Sequence, residues 1–190
     1  DSTSPATPGS VWQVRYPAGF GAGSAPATLT YSLGGATKVF VGTWWKANAN
    51  WQGHPSNVNK IQFLFPSSGY GDMYLAAYGP PGGPYELRSV VQFPTFERKD
   101  ALRPNRDPGL ITMGQWHRLE WLVQYSSPNA ADGIVRWWLD GVLVGDYDNI
   151  RFPPARLDNF KLSPTWGGVG GAKTQTDYYW YDHVFIARAP

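Results

Sequence analysis

None of the 190 residues is cysteine, so disulfides, thiol catalysis and cysteine-ligated zinc are all excluded. Glutamate is nearly as scarce: Glu86, Glu97 and Glu120 are the whole supply, which leaves little for chemistry built on paired carboxylates. Three histidines are present, no two at metal-ligating spacing, so a zinc centre is not expected. A net charge of +2 with no basic run gives no field to attract nucleic acid. The nearest cluster, Arg98, Lys99, Arg103 and Arg106, is diluted by Asp100 and Asp107. No apolar run approaches the roughly 18 residues of a membrane span, so membrane insertion is not expected. Helical periodicity is also missing, with no segment of ten or more residues that shows it.

What is abundant is Trp, Tyr, Gly and Pro, which suits strands joined by turns. The opening DSTSPATPGS reads as a linker or the mature N-terminus of an exported chain without its signal peptide. Residues 1–10 are therefore expected to be a linker and residues 11–190 a single domain, secreted or at a cell surface, with neighbouring domains in a larger secreted chain a further expectation.

The most informative stretch runs from Gly114 to Gly145. His117, Leu119, Trp121, Val123 and Tyr125 alternate with Arg118, Glu120 and Gln124, a half-buried strand in which Leu122 is the exception. Further on, Asp140-Gly141 between two apolar runs predicts a tight hairpin, because a type I′ turn needs φ > 0 at both central residues. Its register sets Leu139 against Val142 and Trp137 against Val144, leaving Arg136, Trp138 and Leu143 on the other face. His117 shares the core side of its strand and is expected to be packed and hydrogen-bonded.

Similar segments recur at 12–16, 28–33, 38–46, 59–65, 73–78, 86–93, 116–125, 134–139, 142–147, 156–163 and 177–187, separated by Gly, Pro, Asn and Ser. They predict an all-β, antiparallel two-sheet sandwich whose first and last strands pair. Residues 96–112 read as a long irregular loop. Within 59–65 the pattern assigns Ile61, Phe63 and Phe65 to the core and Lys60, Gln62 and Leu64 to the other face. Leu87, Ser89, Val91 and Phe93 likewise oppose Glu86, Arg88, Val90 and Gln92, while Met73 and Leu75 oppose Tyr74, Ala76 and Tyr78. If these strands share one sheet, its outer face gathers Lys60, Gln62, Tyr74, Arg88, Gln92, Arg118, Glu120, Gln124, Arg136 and Trp138. Planar polar groups mixed with aromatic rings suit a saccharide: amides and guanidinium groups bond hydroxyls, and rings stack on sugar C–H faces.

GQWHRLEW, DGIVRWWLDGVLV and DYYWYDHVFIA resemble the concanavalin A-like jelly rolls, and within them the laminin-G-like and polysaccharide-lyase-like domains of secreted bacterial proteins. The shared features are Gly114 and Trp116 at a strand start, the Trp138 to Gly141 hairpin, and the closing Asp182 to Ile186 strand. Thr43 to Phe65 is similar to the early strand-loop-strand of the same group. The resemblance implies a concave sheet with a glycan groove, and hence a polysaccharide-binding domain. It also implies an alternative, a lyase acting by β-elimination on a uronate polymer, although the E-x-D-x-(x)-E, R-x-E-x-R, Q-x-H and Y-x-K-x-G-x-Y patterns of the enzymes are missing. In a lyase, Arg88, Arg118, Arg136, Gln62 and Gln92 would neutralise the carboxylate and Tyr74 or Lys60 would take the proton, with His54 a further candidate base. A structural module of a surface filament, adhesin or viral particle is a third reading. No cofactor is required for any of these. The resemblance does imply a structural calcium ion, and Asp182 or Asp177 is where it would sit.

Overall fold

The computed structural model describes residues 1–6, 9–67, 71–93 and 101–190. In chain order its strands are β1 (Trp12–Tyr16), β2 (Leu29–Ala36), β3 (Lys38–Ala47), β4 (Val58–Pro66), β5 (Asp72–Tyr78), β6 (Tyr85–Gln92), β7 (Ala101–Leu102), β8 (Leu110–Ile111), β9 (His117–Gln124), β10 (Gly133–Leu139), β11 (Val142–Ile150), β12 (Leu157–Leu162) and β13 (Asp177–Ala189). They form two antiparallel sheets. One has six strands in the order β1-β13-β3-β9-β10-β11; the other has seven, β2-β12-β4-β5-β6-β7 with β8 also on β6. The expected pairing of first and last strands holds, Trp12 opposite Tyr181 through Tyr16 opposite Asp177. The predicted irregular stretch contributes the short strands β7 and β8, and its residues 96–100 lie outside the described ones. Among the described residues no helix is long and apolar enough to cross a membrane.

The hairpin forms where the sequence places it, with Asp140 at φ 53° and Gly141 at φ 84° and Leu139 opposite Val142. One detail differs. A bulge between Trp137 and Trp138 sets Trp137 opposite Gly145 rather than Val144. The indole lies flat over that glycine, so close that a Cβ there would fall 2.0 Å from the ring.

Trp45, Trp121, Trp137, Tyr16, Tyr179 and Tyr181 fill the space between the sheets. Three of these rings also tie the fold together across its depth. Trp137 Nε1 donates to the Leu87 carbonyl at 2.8 Å, the Tyr181 hydroxyl to Ile61 at 2.8 Å, and the Tyr16 hydroxyl to Pro164 at 2.8 Å. Each such bond contributes about 1 kcal/mol net and spares a buried carbonyl the cost of having no partner.

The opening residues pack on the body of the protein. Thr3 Oγ1 accepts from Trp116 Nε1 and from Lys46 Nζ, both at 3.1 Å, Asp1 pairs with Lys46, and the Ser4 hydroxyl donates to Asp182. This part of the expected linker is therefore tied to the six-stranded sheet.

Candidate functional site

The outer face of the seven-stranded sheet carries a second apolar cluster, separate from the sandwich core. It comprises Phe63, Tyr74, Ala76 and Val90, with Val58 and Phe65 against them. A bulge in β4 creates it. Lys60 is opposite Ala76, but Gln62 is opposite Leu75, so one extra residue enters the strand and reverses its alternation. Phe63 and Phe65, expected in the core, emerge outward, while Leu64 turns in. Nothing in the alternation of residues 59–65 marks the bulge.

Register arranges this face in rows. Val90, Tyr74 and Phe63 form one, Arg88, Ala76 and Lys60 the next, and Glu86, Tyr78 and Val58 a third, with Gln92 beside Asp72 at one end. Lys60 and Arg88 stand two strand spacings apart, about 10 Å, with only the Ala76 methyl between them. Both cations lie on rings: Lys60 Nζ is 4.9 Å from the centre of Tyr74 and 5.8 Å from that of Phe63, and Arg88 Cζ is 3.9 Å from that of Tyr78. Lys161 Nζ, from neighbouring β12, caps Phe65 at 4.4 Å. Arg88 is further held by Glu86.

The titration of these groups follows from their burial. Desolvation lowers the Lys60 pKa, and Asp72 only partly opposes it. Burial also raises Asp72, against the pull of Lys60, and holds the Tyr74 phenol well above its ordinary value, with Asp72 and Tyr78 adding to the effect. The face therefore offers an ammonium that gives up its proton more readily than usual, a phenol that keeps its own, and a fixed guanidinium.

Of the residues predicted from sequence, Lys60, Tyr74, Arg88 and Gln92 come together here. Gln62 does not, because the bulge leaves it fully buried opposite the core residue Leu75. Arg118, Glu120, Gln124, Arg136 and Trp138 belong to β9 and β10, in the other sheet, so the single predicted surface is split between the two sides of the sandwich. There Arg118 pairs with Glu120 at 3.1 Å, Arg136 Nε with Asp146 at 2.6 Å, and Trp138 packs near Phe40 at 6.3 Å. Sequence reasoning missed Phe63, Phe65, Asp72 and Lys161. It saw Tyr78 in the outward phase of β5 without giving it a role.

His54 is away from this face and locked in place. It is 2 % exposed, its Nε2 donates to the Gly170 carbonyl at 2.8 Å, and its Nδ1 accepts from the Ser56 backbone at 3.0 Å. His117 is packed as expected, with Nδ1 on Asp140 at 2.7 Å and Nε2 against Thr112. Desolvation works against its protonation, but the Asp140 and Thr112 bonds outweigh that and its pKa is raised.

Asp177 and Asp182 lie on opposite faces of β13 and do not share a site. Asp182 receives Ser4 and the His183 N–H. Asp177 holds Lys173 Nζ at 2.6 Å, with Asn48, Gln175 and the Gln52 N–H completing its bonds. Among the described residues no three acidic or histidine side chains gather as a metal site. At Asp177 the position a cation would take is filled by the Lys173 ammonium, so calcium could bind there only by displacing it.

No protein-family model matches the chain, and no curated protein does. Solved structures do. The alginate lyase Aly36B, solved with an alginate tetrasaccharide, superposes with a TM-score of 0.75 at 14% identity, covering 94% of this chain and 81% of that one. An alginate lyase from Aplysia kurodai gives 0.67 at 14% identity, covering 98% and 86%. The endo-β-1,4-glucuronan lyase of the fungus Trichoderma reesei gives 0.57 at 20% identity, covering 96% and 78%. The chain has the concanavalin-like jelly-roll fold that its motifs resemble.

Proposed function

We propose that this protein binds an acidic polysaccharide on the outer face of its seven-stranded sheet. The observation that carries the reading is the row Lys60, Ala76, Arg88: two cations held on aromatic rings, with a methyl floor between them. A uronate ring laid over Ala76 would place its carboxylate within reach of a fixed positive charge and its C–H face against Tyr74 and Tyr78. The structural neighbours named as alginate and glucuronan lyases support a uronate polymer over a neutral one. Such polymers belong to cell walls and matrices, so the protein would work outside the cell or at its surface. Affinity electrophoresis through polyglucuronate, alginate and a neutral glucan tests this. Retardation by the acidic gels that falls about tenfold in Arg88→Gln is expected; equal mobility of wild type and variant in all three would refute it.

The lowered Lys60 pKa favours a second reading, β-elimination. Arg88 would neutralise the uronate carboxylate, and neutral Lys60 would take the C5 proton. The electrons of that bond would form the C4–C5 double bond as the C4–O bond breaks, and the Tyr74 hydroxyl, which burial keeps protonated, would donate to the departing oxygen. Release of a product absorbing as an unsaturated uronate, abolished by Lys60→Gln even at polymer concentrations that saturate the variant, is the expected result. A wild type that binds these polymers without releasing that product would leave binding alone.

A further inference from the structure

Away from both sheet faces, one end of the sandwich contains a cavity of about 620 Å³. It opens where β2 turns into β3, where β9 ends, and where the chain passes from β11 to β12. Its size falls within the range of pockets that enclose small ligands, roughly 300–1,000 Å³.

Three cations line it, Lys38, Arg151 and Arg156, all exposed. None of them is in an ion pair with a described residue. Elsewhere Arg88, Arg106, Arg118 and Arg136 each rest on a carboxylate. Among the described residues no carboxylate lines the cavity, and Asp158, close enough to add to the raised pKa of Tyr125, is outside the lining. Three like charges lining one concavity attract an anion, the more strongly at low ionic strength.

The wall is rigid and partly apolar. Tyr125 stacks on Phe152 at 4.4 Å and 12°, and Phe93 braces Phe152 edge-on at 5.8 Å. The Phe152 backbone is fixed by the Ser126 hydroxyl at 3.1 Å, and Tyr125 by its N–H to the Thr37 carbonyl at 2.8 Å. Tyr125 is 8 % exposed, and burial raises its phenol pKa, with the Asp158 charge adding to the effect.

We propose that this cavity is a binding site for a compact ligand carrying two or more anionic groups, recognised by Lys38, Arg151 and Arg156. Carboxylate, sulfate and phosphate oxygens share the chemistry this lining recognises. The site is independent of the polysaccharide face, because none of its residues belongs to that surface.

Isothermal titration of the whole chain at low ionic strength tests it with three probes: tripolyphosphate, a glucuronate trisaccharide and a sulfated disaccharide. At least one should bind, more weakly as salt rises, and the tightest identifies the source of the anion. Exposed ion pairs contribute up to about 1 kcal/mol each, so Arg151→Gln with Arg156→Gln should weaken binding about tenfold or more. Both arginines are exposed, so melting of the double variant close to wild type is the check on folding. The arginine double variant should keep its retardation by polyglucuronate, which separates failure of this site from failure of the polysaccharide reading. Absence of binding by all three probes, or equal affinity in the arginine double variant, would overturn the proposal.

Discussion

Lys173 and Asp177 form an ion pair with no exposed side-chain surface, and replacing them singly and together gives a quantitative test of what the pair contributes. The ammonium sits 3.6 Å from the Trp51 ring centre and 4.9 Å from that of Trp166, and donates to the Gln52 carbonyl at 3.0 Å. Burial outweighs these partners and lowers its pKa from 10.5 to about 8. At about 1.4 kcal/mol per pH unit, the charged form is disfavoured by about 3 kcal/mol relative to the unfolded chain. Removing one partner should nevertheless destabilise, because the other charge remains buried, at about 3–5 kcal/mol. Lys173→Met should fall at the lower end, since Asp177 keeps Asn48, Gln175 and the Gln52 N–H. Asp177→Asn should fall at the upper end, leaving the ammonium one carbonyl and the rings. The double variant should cost well short of the sum of the two, because no charge is then left buried without its partner. In a domain of this size about 1 kcal/mol moves the melting temperature by roughly 2–4 °C, so the single variants should melt roughly 6–20 °C lower. Urea titration followed by tryptophan fluorescence, with Trp51 in the cage, measures the cycle. Because the folded pKa is the lower one, the unfolded state holds the extra proton between about pH 8 and 10.5, and wild type should gain stability over Lys173→Met across that window. Strictly additive single and double variants would refute the coupling.

Gly167→Ala should destabilise by about 3 kcal/mol, because φ is 66° and the new Cβ would fall 2.1 Å from the His54 ring; unchanged thermal melting would contradict that contact. The His117–Asp140 bond should make stability depend on pH in both directions. The raised His117 pKa gives a contribution complete below about pH 6.5 and lost as pH rises through the folded value. For Asp140, burial works against ionisation, but the bonds to His117 and Arg118 prevail and lower its pKa. Its contribution is complete above about pH 3.9 and lost as pH falls through the folded value. Melting curves of His117→Gln should lose the His117 contribution to the decline that begins above about pH 6.5, and a profile parallel to wild type would count against the assignment. Trp138→Ala, on the six-stranded sheet, should leave retention on polyglucuronate unchanged while Arg88→Gln reduces it; the opposite pattern would move the candidate site to the other face.

The fold was legible because its strands alternate cleanly and its turns carry glycine, proline and Asp-Gly. His117 through Gln124 buries every second residue as read, and β5 and β6 present Tyr74, Tyr78, Glu86, Arg88 and Gln92 outward as their alternation implies. The site was legible only in part, for two physical reasons. Alternation reports which residues share a face of one strand but not which strands share a sheet, so Arg118 and Trp138 were joined to Lys60 and Arg88 across a sandwich that separates them. A bulge adds one residue without a compositional mark, so Gln62 and Phe63 exchanged their expected sides. The cavity at the sandwich end could not be read at all, since Lys38, Tyr125, Arg151 and Arg156 come from three distant stretches of chain.

The three ring donors that reach across the sandwich do work that many extracellular domains assign to oxidised sulfur. Bonds from an indole or a phenol to a carbonyl re-form unaided and have no wrong partners to be shuffled through. A chain fastened this way needs neither an oxidant nor disulfide exchange to reach its native state. It should mature equally well in a reducing cytosol and in the open, and a thiol reductant should leave its melting temperature where it was.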